Sequence, residues 1–190
     1  MLKTHIYENI DGWFDFPILY KLAVERSNNN SHFVEIGSWM GKSASFLAVE
    51  IINSNKNIKF DCVDTWNGSD EHNNFDILKQ EDKLYNTFKD NIKTLNHIIN
   101  PVRMDSINAS KLYEDNSLDF VFIDAAHDYN NVKLDIQNWY PKVKTGGLFA
   151  GHDYTPAWQG VINAVNEFAS ELNYNINRTD VSAWHVIKKV

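Results

Sequence analysis

His32-Phe33-Val34-Glu35-Ile36-Gly37-Ser38-Trp39-Met40-Gly41-Lys42-Ser43 reads as one unit. A short apolar strand runs into a turn marked by two glycines, and a helix begins there whose apolar positions continue at Phe46, Leu47, Val49, Ile51 and Ile52. The same order recurs downstream. Strands are predicted over 58–64, 98–103 (interrupted by Pro101), 118–124 and 147–151, with a long helix over 75–95, a short one over 109–113 and another over 132–139. Upstream, 16–26 carries a helical stripe at Ile18, Leu19, Leu22 and Ala23 that ends in the Ser27-Asn28-Asn29-Asn30 turn. After the fifth strand, 160–172 is helical, and 174–177 and 183–188 read as two strands joined by so short a turn that they pair antiparallel. Strands alternating with helices pair in parallel through right-handed crossovers. The expected fold is α/β, a doubly wound, mostly parallel seven-stranded sheet with an antiparallel C-terminal strand.

At 190 residues the chain is expected to form one domain, a helical extension over 1–31 followed by the sheet core over 32–190. Its 43% hydrophobic and 13% aromatic content excludes a disordered chain. Cys62 stands alone, which excludes a disulfide framework. A net charge of -7 opposes an affinity built on neutralising phosphates, so nucleic acid is not the expected partner. Lys3, His5, Glu8 and Asp11 break up the apolar stretch a signal peptide needs, and no run long enough to span a membrane occurs. The expected location is the cytoplasm, with no membrane partner.

A doubly wound sheet binds its ligands outside the carboxyl ends of its strands. Glu35 and Gly37, Asp64, Asp105 and Ser106, Asp124, and His152 with Asp153 all fall at such ends. Three ligands compete for the glycine turn. Gly41-Lys42-Ser43 looks like the end of a phosphate-cradling loop, the mark of an NTPase, but only three residues separate the glycines where that motif has four, and Glu35 sets a negative charge beside the phosphates. A dinucleotide needs a middle glycine where Trp39 stands. S-adenosylmethionine carries no phosphate, is cationic at its sulfonium and ammonium, and has a ribose diol that donates to carboxylates, so an acidic turn suits it.

Five motifs carry a resemblance: Phe33-Val-Glu-Ile-Gly-Ser-Trp-Met-Gly-Lys-Ser43, Val63-Asp-Thr-Trp66, Val102-Arg-Met-Asp-Ser106, Phe122-Ile-Asp-Ala-Ala-His-Asp-Tyr129 and Gly146-Gly-Leu-Phe-Ala-Gly-His-Asp-Tyr154. In order and spacing the chain resembles the class I S-adenosylmethionine-dependent methyltransferases, which have a Rossmann-like fold, and among them small bacterial O-methyltransferases related to the macrocin and cephamycin biosynthetic enzymes. The resemblance implies that Glu35, Gly37, Ser38 and Gly41 hold the methionine end of the cofactor. It implies Asp64 at the ribose, Trp66 beside it, and Asp105 and Ser106 near the adenine.

Methyl transfer displaces a good leaving group in line, so an enzyme has mainly to orient the acceptor and remove its proton. An aliphatic or sugar hydroxyl yields that proton reluctantly, and a divalent metal acting as Lewis acid eases the step. Asp124, His152 and Asp153, at the ends of the fourth and fifth strands, could hold one. The resemblance places metal-binding carboxylates at these positions and a catalytic base at His127. His152 departs from the usual oxygen ligand and shifts preference from Mg²⁺ toward Mn²⁺, Fe²⁺ or Zn²⁺. A metal-free enzyme with His127 or His152 as base stays open, as does a silent cofactor-binding domain. The loops over 66–74 and 154–159 are expected to form the acceptor pocket, with Trp66, Tyr129, Tyr154 and Trp158 stacking on a sugar ring or another flat face. The expected acceptor is a small molecule or a sugar or glycan. Homo-oligomers are common in such enzymes, though no residue pattern identifies an interface. His5, His32, His72, His97 and His185 read as surface or packing residues, His72 in a loop able to cover the site.

Overall fold

In the computed structural model, which describes residues 2–69 and 75–189, seven strands form one sheet in the order β3-β2-β1-β4-β5-β7-β6. The strands β1 (Ser31–Ile36), β2 (Ile58–Asp64), β3 (Ile99–Arg103), β4 (Leu118–Ile123) and β5 (Val143–Gly151) pair in parallel. β7 (Ala183–Ile187) runs antiparallel between β5 and β6 (Asn177–Thr179). Pro101 is tolerated in β3 because that strand lies at the sheet edge, where a missing N–H costs no ladder bond.

Side-chain alternation along the strands divides the core in two. Phe33, Phe60, Cys62, Phe120 and Phe122 face α1 (Pro17–Arg26), α2 (Lys42–Ser54) and α3 (Lys83–Asn91). Val34, Ile36, Val63, Val121 and Ile123 face α4 (Ser106–Ser110), α5 (Tyr129–Trp139) and α6 (Gln159–Glu171). The extension before β1 is part of this packing: the ring of Tyr20 on α1 lies 5.0 Å from Phe122 and 5.8 Å from Phe120.

Several elements differ from the sequence expectation for local reasons. The long helix over 75–95 is a 3₁₀ turn (Asp76–Lys79) and the shorter α3, separated by Asp82 in left-handed backbone, φ 57°. The short helix begins earlier, at Ser106, because the Asp105 carboxylate caps it by accepting from Asn108 N–H at 2.9 Å. β5 starts at Val143, with a register shift against β4 around Gly146 and Gly147. β6 begins only at Asn177, the last residue of the expected 174–177, since Tyr174 packs on Phe168 and its hydroxyl pairs with that of Tyr140 at 2.7 Å. The part of the 66–74 loop that holds His72 lies outside the described residues. No helix among those described is long and apolar enough to cross a membrane.

Candidate active site

The ends of β1 and β4 meet at Gly37. Its N–H donates to Val63 O at 2.8 Å, and the N–H of Asp124 donates to Ile36 O at 2.8 Å. Gly37 has φ +88°, and a Cβ there would stand 1.9 Å from the carbonyl oxygen of Asp124, so only glycine fits. The turn that follows is held by Asp64. Its Oδ2 accepts from the N–H groups of Ser38 at 3.0 Å and Trp39 at 2.9 Å, while Oδ1 accepts from Trp66 N–H at 2.7 Å. Burial nonetheless leaves the Asp64 carboxyl above its ordinary value, outweighing those bonds. Trp39 keeps a left-handed backbone, φ 46°, within this frame.

Above the turn, along the sheet rim, opens a cavity of about 900 Å³, large enough for a cofactor and an acceptor together. Gly37, Ser38, Asp64, Asp105 and Ser106 line it, as do Asp124, His127, His152 and Asp153. Glu35, Gly41 and Trp66 do not. Strand alternation turns Glu35 onto the α1 face, where it is buried and accepts a hydrogen bond from the Tyr20 hydroxyl. Its Oε1 is also buried and lacks a well-formed hydrogen bond. Burial raises its carboxyl to about 7 even though Tyr20, Ser38 and Ser43 favour the charge. Gly41 lies against Phe88 and Ile92 and caps α2. Trp66 is buried, with its ring 4.6 Å from Phe88 and its Nε1 donating to Trp39 O at 2.9 Å, so it braces the turn from behind.

Two cavity residues have side chains already committed to helices. Asp105 caps α4, and its bonds from Asn108 hold its carboxyl below the ordinary range. Ser106 Oγ donates to the Asp135 carboxylate and accepts from Trp139 Nε1 at 2.8 Å. Asp135 is buried and pushed up to about 6 by desolvation.

At the other end of the cavity the ends of β4 and β5 bring Asp124, His152 and Asp153 together, with one ligand atom from each lying within 4.8 Å of the others. His152 Nδ1 is 3.2 Å from both Asp124 Oδ1 and Asp153 Oδ2. Burial alone would lower the His152 pKa, but the two carboxylates outweigh it and hold the ring at about 11. Burial would likewise raise Asp153, yet His127 and His152 bring it well below the carboxylate range. Asp153 has left-handed backbone, φ 57°, which turns its carboxylate back to within 2.8 Å of His127 Nε2. His127 stacks on Trp158 at 4.2 Å.

Asp15 and Ser182, which no strand-end logic indicates, also reach this cluster. Asp15 Oδ1 lies 2.8 Å and Ser182 Oγ 2.7 Å from His152 Nε2. Of the aromatic residues expected in the acceptor pocket, only Trp158 lines the cavity. Tyr129 and Tyr154 instead bond to Glu167 and Asn166 on α6. Trp13, Trp39 and Phe75 take their place as a cluster of rings about 6 Å apart, with Trp13 61% and Phe75 40% exposed. Lys42 is the one lysine or arginine among the described lining residues, beside six aspartates: Asp15, Asp64, Asp105, Asp124, Asp135 and Asp153. A triphosphate would meet repulsion there, which removes the support for an NTPase.

Sheet order and rim cavity together are those of a Rossmann-like α/β domain with its ligand site at the carboxyl ends of the strands. The family model described as "Methyltransferase domain" matches residues 34–154, more than half of the chain, and the chain belongs to that family. The solved O-methyltransferase NovP has a TM-score of 0.68 at 16% identity, covering 92% of this chain and 79% of that one. The O-methyltransferase from Bacillus cereus in complex with SAH has a TM-score of 0.62 at 18% identity, covering 98% and 84%. At such identities the likeness is one of fold. A relative from Sinorhizobium fredii (strain NBRC 101917 / NGR234), uncharacterized protein y4gI, is 28% identical over 156 residues, which make up 80% of this chain but only 16% of the relative.

Proposed function

We propose that the chain is an O-methyltransferase that moves the methyl group of S-adenosylmethionine to a hydroxyl of a small molecule, sugar or glycan, assisted by a divalent cation at Asp124, His152 and Asp153. The observation that carries this reading is the convergence of three ligand atoms at the same sheet rim as the glycine turn. Two carboxylate oxygens equidistant from one imidazole nitrogen form a donor set that suits a cation, and the nitrogen favours Mn²⁺, Fe²⁺ or Zn²⁺ over Mg²⁺.

The acidic cavity suits the cationic methyl donor, and Oδ1 of Asp64 on its wall keeps one acceptor position for a ribose hydroxyl. A bound cation would supply Lewis acidity to the acceptor oxygen. His127, oriented by Asp153 and by its stack on Trp158, takes the hydroxyl proton. The O–C bond forms as the S–C bond breaks, and S-adenosylhomocysteine leaves. Rings at Trp13, Trp39, Phe75 and Trp158, with so little positive charge nearby, favour a neutral or amine-bearing ring as acceptor over a polyanion.

Asp124→Asn tests the assignment. S-adenosylhomocysteine affinity by calorimetry is expected to stay within a few-fold while demethylation of S-adenosylmethionine, followed across an acceptor panel of sugars and phenols, is lost. Unchanged turnover refutes the role of Asp124. The bonded His127–Asp153 pair favours a second reading, a base acting without metal. Turnover that survives complete chelation selects it.

A further inference from the structure

We propose that Asp15 and Ser182 are positioning residues that fix the tautomer of His152 and so make its Nδ1 a cation ligand, an inference that rests on the metal reading above. The ring of His152 packs against fully buried Phe16, centroid to centroid 4.7 Å, which holds its plane, and the polar partners at its two ends set which nitrogen faces which way. Nε2 faces Asp15 Oδ1 at 2.8 Å and Ser182 Oγ at 2.7 Å. Ser182 Oγ donates to Asp15, with carboxylate oxygens at 2.8 and 2.9 Å. A hydroxyl has one proton, and here it is committed to the carboxylate, so toward His152 the Ser182 oxygen is an acceptor. Both neighbours of Nε2 therefore accept, and the ring carries a proton on Nε2.

The opposite side of the ring follows from this. Nδ1 lies 3.2 Å from both Asp124 Oδ1 and Asp153 Oδ2, and a divalent cation entering there would displace the Nδ1 proton that these carboxylates hold, while the Nε2 proton stays with Asp15 and Ser182. Nδ1 and the two carboxylate oxygens would then be three donors facing one cation. A carboxylate holding the far N–H of a ligating histidine is the usual way proteins set ring orientation and basicity at metal sites. Here that carboxylate comes from the segment before α1, 137 positions from the ring it orients, and the hydroxyl comes from the turn between β6 and β7.

The test uses the full chain, with Mn²⁺ as probe and free Mn²⁺ read by electron paramagnetic resonance. Asp15→Ala is expected to weaken Mn²⁺ binding by about 10- to 100-fold. Ser182→Ala, which keeps the carboxylate, is expected to lose about threefold. In the Zn²⁺-loaded unaltered chain, imidazole ¹⁵N spectra are expected to show the His152 proton on Nε2. Mn²⁺ affinity unchanged in Asp15→Ala, or the proton found on Nδ1, overturns the inference while leaving the metal reading intact. If Asp15→Ala fails to fold, Ser182→Ala and the spectrum of the unaltered chain still decide. An unaltered chain that takes up no Mn²⁺ overturns the metal reading and this inference with it.

Discussion

Glu35→Gln should change how stability depends on pH. Glu35 is buried beneath the glycine turn, and its carboxyl sits near 7 in the folded chain against an ordinary 4.5. A raised folded value means that the native state holds the proton more tightly than the unfolded chain between those limits. The contribution to stability is therefore fully present below about pH 4.5 and is lost as pH rises through about 7. At about 1.4 kcal/mol per pH unit, the gap amounts to about 3 kcal/mol. Glutamine has nearly the same shape, can accept from the Tyr20 hydroxyl, and does not ionise. The variant should be close to the unaltered chain at about pH 4 and more stable by about 3 kcal/mol at about pH 8.5. Urea unfolding of both proteins at the two pH values measures this, because every other titrating group is common to both and cancels in the difference. A stability difference that does not vary with pH refutes the reasoning, and shows that the folded chain does not hold a proton on Glu35.

Gly37→Ala combines a left-handed backbone with a methyl 1.9 Å from a carbonyl oxygen, so β1 and β4 must part. A loss of about 2 to 5 kcal/mol in urea unfolding is expected, and a loss under about 1 kcal/mol contradicts the close approach. Asp64→Ala leaves three backbone N–H groups of the turn without their acceptor. S-adenosylhomocysteine affinity by calorimetry should fall at least about tenfold, or about 1.4 kcal/mol, and an unchanged affinity removes Asp64 from the cofactor site.

The parts of the fold legible in the sequence were those set by local pattern. β1, its glycine turn and α2 are fixed by an apolar run, two residues able to take positive φ and a helical stripe, all within neighbouring turns of chain. The gathering of Asp64, Asp124, His152 and Asp153 at one rim follows from the rule that parallel strands present their carboxyl ends together. What was hidden depends on where side chains finish. Asp105 has the same acidic appearance at a strand end as Asp64, yet it caps a helix because Asn108 follows at the right spacing. Trp66 reads as a pocket wall but is buried, since Trp39 O receives its Nε1–H. Asp15 precedes the sheet altogether, and only the completed fold carries it to His152. Period and spacing do not encode contacts of that range.

The contact between Gly37 and the backbone of Asp124 leaves no hinge at the joint between the two halves of the cavity. On the proposed reading, the angle at which methyl donor and acceptor oxygen face each other is built in when β1 and β4 zip together, and substrate arrival has nothing to align there. Surface loops bearing Trp13, Phe75 and Trp158 can then diverge to admit new acceptors without disturbing the trajectory of the transfer.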